Sequence, residues 1–529
     1  MNPKDRERVL VEVVQRVVDR AAATPHQLEQ AIFDTIYEER RRLETERNQK
    51  LARAQGAFYD RIQADALRAD STRHRDLLRQ IVQAFAEEVV GHFDQRIYSL
   101  STRVVPTGLS VLLNAMSPMK LAHTARHGMS GLQEQLEITG EVDAVTRCAA
   151  TGTVVMVPTH LSNLDSIVMG YALYRMGLPP FLYGAGLNLF HNKLIGFFMN
   201  NLGAYKVDRR KKAEVYKEVL KAYAGYTIEL GYHNLFFPGG TRSRSGSVEK
   251  RLKLGLLGTG LHAYIHKLKA KDPKPDVFVV PCTINYELVL EAETLIEDYL
   301  KEAGKSRYII EDDEFSRPKA VFDFMKKLLS LDSRIRIVVG RPLDVFGNQI
   351  DPEGQSLDSR GRRVDRVRYV LSNGQPALDR QRDEEYTREL AGSIVRSLHR
   401  NTVLHSTNVV CRVVFDWLKE RAGDMDLYRL LRSGGPEESL PLSQAYERVD
   451  RALEACRKLQ ASGEVILSPV VLDNDAVSVT TQALILLGSY HRKPALERRG
   501  DRLFHNDRNA ILYYQNRTDR WNLSQRSPS

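Results

Sequence analysis

The sequence predicts an α/β fold, with a largely parallel sheet flanked by helices and helical regions at both ends of the chain. Three observations predict it. Past about Glu141, short β-branched runs (TVVMV at 153–157, NLFF at 234–237, VFVVPCTI at 277–284 and RIRIVV at 334–339) alternate with helical stretches, the pattern of strands joined by crossover helices. Between His26 and Val105 there is no proline, and Leu28, Ile32 and Ile36 fall at helical spacing. From Glu385 onward, helical spacing returns in EYTRELAGSIVRSL and CRVVFDWLKE.

At 529 residues and 60.1 kDa the chain is too long for one compact unit, so two or three structural units are expected. The reading divides it into an N-terminal helical region (1–140), an α/β domain (141–345), a polar connector or surface excursion (346–385) and a C-terminal helical region (386–529). The connector assignment rests on the polar, Pro/Gly-containing stretch NQIDPEGQSLDSRGRR. No repeat of fixed period is read anywhere. EERRRLETERNQK, near residue 40, reads as a solvated helix face, since its interleaved Glu residues count against a nucleic-acid arm.

Hydrophobic residues at 42% and charged residues at 27% exclude a disordered or collagen-like chain. The formal charge of +10 attracts a phosphorylated ligand, an anionic membrane or nucleic acid without choosing among them. Cys148, Cys282, Cys411 and Cys456 are scattered and form no CxxC pair, which argues against a disulfide scaffold or cysteine zinc site and for a reducing compartment. The N-terminus is charged throughout, unlike a signal peptide. No stretch of about 20 apolar residues occurs, so no spanning helix is expected. VVPTGLSVLLNAM at 104–116 is the best candidate for an apolar surface segment, with buried packing as the alternative.

The sharpest local signal is VPTHLSNLDSIVMGYAL, where His160 follows a strand and Asp165 comes five residues later. On one continuous helix five steps turn about 500°, leaving the two side chains roughly 140° apart. With His160 in the loop and Asp165 in the first helical turn, the carboxylate can fold back onto a ring nitrogen and leave the other to accept a proton. A plainer account is a capping box, Ser162-x-x-Asp165. The two are compatible. A second signal is FFPGGTRSRSG at 236–246, where a strand runs into glycines followed by Arg242 and Arg244 among hydroxyls. Glycine lets backbone amides approach a phosphate and arginine forks match its oxygens, although a basic turn in solvent has the same composition. The third is GAYKVDRRKK at 203–212, with Arg209 and Arg210 after a short β-like run.

Other motifs fail. EAGKS at 302–306 has Tyr299 where a P-loop needs glycine, which leaves Gly304 as a helix C-cap. The glycines of LGLLGTGL are in the wrong order for a dinucleotide fingerprint. Neither a GxSxG elbow nor HExxH spacing is present. Without a nucleophile or metal set, direct general-base transfer is the economical mechanism.

In this order the elements resemble the glycerol-3-phosphate acyltransferase family, in the branch that includes dihydroxyacetone-phosphate acyltransferases. His160 to Asp165 is similar to the family's HX4D block, and GLNLFHNKLIGFFMNNLGAYKVDRR to its second, with Arg209 and Arg210 at a characteristic paired arginine. FFPGGTRSRSG is similar to the third block and VPCTINYE, at 280–287, to the fourth. The resemblance covers about 140–345 and reaches more weakly into HRNTVLHSTNVV and ILYYQN. One departure stands out: the third block usually carries Glu where this chain has Gly239.

The resemblance implies an α/β acyltransferase domain with helical additions acting at a membrane; as no spanning helix is expected, the contact is expected to be peripheral, at the cytoplasmic face. It implies that His160, oriented by Asp165, takes the proton from the sn-1 hydroxyl of glycerol 3-phosphate as that oxygen attacks the thioester of acyl-CoA or acyl-carrier protein. These are co-substrates, and neither cofactor nor metal is implied. Arg242 and Ser243, with Arg209 or Arg210, would hold the acceptor phosphate. Gly240 and Thr241 would line the pocket, and Pro281 would shape the fourth-block loop. Dihydroxyacetone phosphate or a lysophospholipid is the alternative acceptor. A non-catalytic basic scaffold binding a membrane or nucleic acid would explain the net charge but not the strand-end placement of His160.

Overall fold

The structure is a computed structural model that describes residues 1–99, 136–187, 199–303, 334–432, 439–489 and 493–523, except positions 2, 23 and 47, together with residues 190, 197 and 491. The apolar segment at 104–116, Gly304 and most of 188–198 in the second block lie outside the described residues.

Four helices open the chain: α1 (Pro3–Ala21), α2 (Pro25–Leu43), α3 (Gln49–Ala66) and α4 (Ser71–Val89). Thr24, Asn48 and Asp70 cap the last three, each side chain accepting a backbone N–H of the first turn. Their apolar faces, including Val13, Ile32, Ile62, Leu77 and Phe85, form one core with Tyr216, Val219 and Tyr223 of the helix Glu214–Glu229. EERRRLETERNQK is not simply a solvated face, because Glu39 and Arg42 within it are buried. The buried Glu39 carboxylate takes Arg42 at 2.9 Å and Lys211 at 3.2 Å, and Lys211 also reaches Glu88 at 3.1 Å. Opposite charges that meet can be buried where isolated ones cannot. The cluster ties the helical region to the loop bearing Arg209 and Arg210. Lys211→Met is expected to destabilise the fold by about 3 kcal/mol, the low end for breaking a buried pair because Arg42 stays on Glu39; urea denaturation checks it.

The central sheet has seven strands: β1 (Leu136–Gly140), β2 (Thr153–Pro158), β3 (Leu182–Gly186), β4 (Ala204–Val207), β5 (Asn234–Leu235), β6 (Val277–Tyr286) and β7 (Ile335–Val339), in the order β1-β7-β6-β2-β5-β3-β4. Among these described strands, only β6 and β7 pair antiparallel. β1 and β3, LEITG and LYGAG, are glycine-bearing runs of five residues whose strand character comes from their neighbours. Between the strands lie α5 (Val142–Thr151), α6 (Asp165–Arg175), α7 (Glu214–Glu229), α8 (Leu254–Lys269) and α9 (Ala292–Ala303). β2 is buried along its whole length. Val154 and Met156 share a core with Met169 of α6 and Ile296 of α9, while Val155 and Val157 share another with Leu261 and Tyr264 of α8. Both sheet faces are therefore covered, as parallel strands require.

Pro281 lies inside β6, not in a loop, opposite Val157 of β2. Proline is tolerated there because its side of the ladder falls where β6 changes partner. Val279 pairs through both backbone groups with Leu343, whereas the Pro281 carbonyl accepts the Gly340 N–H at 2.8 Å, just past the end of β7.

After β7 the chain does contain a repeat. Asp344, Asp351 and Asp358 each begin an Asp-x-x-Gly turn seven residues after the last. In each, one carboxylate oxygen accepts the backbone N–H groups two and four residues on, at 2.8–3.0 Å. Gly347, Gly354 and Gly361 sit at positive φ. The turns join β8 (Gln349–Ile350), β9 (Ser356–Leu357) and β10 (Arg363–Val364) into a small antiparallel sheet, followed by the hairpin β11 (Leu371–Ser372) and β12 (Gln375–Pro376). Three copies of a heptad are too few to register as a long-period array, yet each is a complete hairpin signal.

The C-terminal part comprises α10 (Arg380–Arg400), α11 (Ser406–Ala422), α12 (Leu427–Arg432), α13 (Leu442–Ala461), α14 (Pro469–Asp473), α15 (Ala476–Ser489) and α16 (Arg508–Gln515), with short two- and three-stranded sheets among them. It is fused to the sheet domain by a common core. Asn516, just past α16, donates to the Ser245 carbonyl at 2.9 Å, and the Tyr514 hydroxyl accepts the Val289 N–H at 3.2 Å. A Cβ on Gly246 would collide with the Tyr513 carbonyl, so only glycine allows this approach. Among the described residues no helix is long and apolar enough to cross a membrane.

Candidate active site

Parallel strands carry their following loops to one edge of the sheet. The loop at His160 follows β2, Arg209 and Arg210 follow β4, FFPGGTRSRSG follows β5 and Glu287–Glu291 follows β6. The topology thus gathers four segments that are far apart in sequence.

His160 lies in the loop and Asp165 is the first residue of α6. The carboxylate folds back as the loop geometry allows. Its Oδ2 receives His160 Nδ1 at 2.8 Å, the Leu161 N–H at 2.7 Å and the Ser162 N–H at 2.9 Å. Its Oδ1 accepts the Tyr286 hydroxyl at 2.7 Å. Burial first, and the adjacent carboxylate second, push the Tyr286 pKa up, so the phenol stays protonated and donates. Asp165 is completely buried, and four donors compensate its desolvation. Leu164 directly precedes α6, and Ser162 opens the turn into it in a capping pattern: Asp165 takes the Ser162 N–H, and Ser162 Oγ accepts the Leu164 N–H at 3.1 Å while donating to Glu291 Oε2 at 2.8 Å.

The His160 side chain retains 9% exposure, so it is buried but not sealed from solvent. Its ring stacks on Phe237 with centroids 4.0 Å apart and planes 18° apart. With Nδ1 held by Asp165, Nε2 is the nitrogen left for a substrate. Desolvation by burial lowers the His160 pKa below its usual value, Asp165 opposes this, and the charges of Arg209 and Arg242 add to the lowering. At neutral pH the imidazole is therefore unprotonated and competent as a base.

Arg242 pairs with Glu291 at 3.2 Å, and the same buried carboxylate accepts the Asn163 N–H at 2.9 Å. Glu291 thus links the third-block arginine to the His160 loop. The surrounding protein, then the charges of Arg242 and Arg244, lowers the Arg209 pKa, so these three cations lie within electrostatic reach of one another. Arg210 turns elsewhere: it binds Asp208 and Glu46, each at 3.1 Å. The Ser243 hydroxyl donates to the Ser247 carbonyl at 2.7 Å, which closes its own turn, and its N–H holds the His160 carbonyl at 2.7 Å. Gly240, at φ 78°, turns the chain between Phe237 and the exposed Thr241. Pro281 lies within its strand, three residues before Ile284, whose N–H binds Thr159. Among the described residues no group of His, Cys, Asp or Glu side chains is arranged to hold a metal ion.

Phe237, Tyr286, Glu249 and Glu291 were not singled out from sequence. Tyr286 closes β6 and Glu291 lies in the loop after it, which was their available signal. Glu249 and Phe237 carried none, because their roles depend on packing across loops.

Residues 137–285 match the family model described as Acyltransferase. The chain is 28% identical over 218 residues, 40% of its length and 24% of the relative's, to a glycerol-3-phosphate acyltransferase of Pseudomonas paraeruginosa. It is 31% identical over 208 residues to that of Ectopseudomonas mendocina (38% of this chain, 23% of the relative). With that of Xanthomonas axonopodis pv. citri it is 30% identical over 158 residues (30% and 17%). The matched stretch therefore spans about a quarter or less of the length of these curated relatives. The His160, Arg209 and Arg242 loops thus lie within the stretch that is similar to the Acyltransferase family model, and the chain is similar over some two-fifths of its length to glycerol-3-phosphate acyltransferases.

Proposed function

We propose that this chain transfers a fatty acyl group from acyl-CoA or acyl-carrier protein to the sn-1 hydroxyl of glycerol 3-phosphate. One observation carries the reading: Asp165 fixes the His160 ring through Nδ1 at 2.8 Å, and the charges of Arg209 and Arg242 act on that ring, lowering its pKa. The acceptor phosphate lies against Arg209 and Arg242, which directs a hydroxyl toward Nε2. His160 takes the hydroxyl proton as the oxygen attacks the thioester carbonyl. Collapse of the tetrahedral intermediate expels the thiolate, and the imidazolium returns the proton to it. Asp165 stabilises the transient imidazolium. Proton transfer contributes about 10²–10⁴ in rate, so alignment of the two substrates must supply much of the remainder.

The work is done at the cytoplasmic face of an anionic membrane, peripherally. The charge of +10 supports attraction to such a surface, and the four unpaired buried cysteines suit a reducing compartment. Nucleic acid has no part in it.

The test is an assay of the purified chain with glycerol 3-phosphate, dihydroxyacetone phosphate and a lysophospholipid side by side, with product regiochemistry determined. Preferential sn-1 acylation of glycerol 3-phosphate is expected, and preference for another acceptor rejects the substrate assignment. Arg242→Ala should raise the acceptor KM at least tenfold. Loss of a cation that disfavours imidazolium also lets the His160 pKa rise, so the acid limb of kcat/KM should move to higher pH. An unchanged acceptor dependence removes Arg242 from the phosphate site.

A further inference from the structure

The backbone of His160 is held on both sides by the third-block loop. Its carbonyl accepts the Ser243 N–H at 2.7 Å, and its own N–H is taken by Glu249 Oε1 at 2.9 Å. Glu249 reaches that N–H across Gly239. A Cβ built on Gly239 would lie 3.1 Å from Glu249 Cγ and 3.4 Å from Oε1, so the glutamate side chain fills the space a side chain at 239 would enter. The other carboxylate oxygen, Oε2, is shut off from solvent without a hydrogen-bond partner among the described residues. Burial raises the Glu249 pKa, which favours the neutral acid, and the Arg517 charge acts against this. Carrying a half-satisfied carboxyl beneath this loop is costly, and its hydrogen bond across to the neighbouring loop goes to the residue whose position matters most.

We propose that Glu249 is a positioning residue for the His160 base. It supplies, from ten residues downstream, the carboxyl that the third block of this chain lacks at 239, and Gly239 is the vacancy that admits it. Asp165 fixes the ring and its tautomer. Glu249 fixes the main chain from which the ring projects. The inference rests on the proposed role of His160 and adds a residue to it.

The experiment compares Glu249→Ala, Glu249→Gln and the exchange Gly239→Glu with Glu249→Gly, measuring kcat, acceptor KM, melting temperature and hydrogen–deuterium exchange of a peptide containing residue 160. Glu249→Ala should lower kcat about 10–100-fold, the scale of a small misplacement of a reacting group, with acceptor KM within twofold and faster exchange at 160. Glu249→Gln keeps an acceptor oxygen and should recover most of the rate and the slow exchange. The exchanged pair should recover part of both. Gly239→Glu alone should behave worse than the pair, because both side chains then compete for one space. Unchanged exchange at 160 in Glu249→Ala overturns the proposal whether or not acyl transfer is detected. So does a Glu249→Gln as impaired as Glu249→Ala with an unchanged melting temperature. A wild-type chain without acyl transfer, in which exchange at 160 still depends on Glu249, rejects the proposed function and leaves the positioning contact standing.

Discussion

His160→Ala is expected to lower acceptor-dependent turnover by about 10²–10⁴-fold, the usual worth of a positioned general base, while the melting temperature changes little. The fold should survive because the ring is held by the loop more than it holds the loop. Without it, Asp165 still accepts the Leu161 and Ser162 N–H groups and the Tyr286 hydroxyl, so no buried charge is stranded. The Ser243 and Glu249 bonds involve the backbone of residue 160 and persist in alanine. Thiol release from an acyl thioester, measured with and without acceptor and alongside a thermal melt, checks the result. Near-normal turnover would reject the base assignment.

Asp165→Asn should cost almost as much, on the order of 10³–10⁴ in kcat by analogy with histidine bases elsewhere that lose their orienting carboxylate. The amide oxygen can still receive the loop N–H groups, so the structure is kept, but the charge that favours the imidazolium is gone. The pH dependence separates this variant from Arg242→Ala. Asp165 raises the His160 pKa and Arg242 lowers it. Residual activity of Asp165→Asn should therefore have its acid limb at lower pH than wild type, and that of Arg242→Ala at higher pH. Shifts of the same sign in both variants would show that His160 is not the titrating group.

Much of this arrangement was legible in the sequence, because the chemistry sits at strand ends and strand ends are marked by composition. TVVMV, VFVVPCTI and RIRIVV announced β2, β6 and β7, and His160 and Arg242 lie in the loops that follow β2 and β5. β1 and β3 escaped because short glycine-bearing runs take strand form only when neighbours supply the ladder. Asp165 illustrates the limit of spacing arguments. A five-residue separation separates the side chains on a helix and unites them across a loop, so the outcome hung on where α6 begins. The paired arginines show another limit. Adjacent residues in a turn point differently, and Asp208 with Glu46 claims Arg210 while Arg209 stays in the field of Arg242 and Arg244. Glu39 and Lys211 lie 172 residues apart, and no local pattern could mark either as buried. Glu249 and Glu291 belong to the same class: their roles are set by which loops the sheet brings together.

The central claim is that an alcohol with an anionic end is held by arginines while His160 takes its proton. It is tested most directly by following thiol release from acyl-CoA by the purified chain with glycerol 3-phosphate or plain glycerol as acceptor. The account predicts saturable release with the phosphorylated acceptor, little with glycerol at equal concentration, and loss of the difference when Arg209 and Arg242 are both replaced by alanine. Equal rates with the two alcohols, or release indifferent to any acceptor, would contradict it.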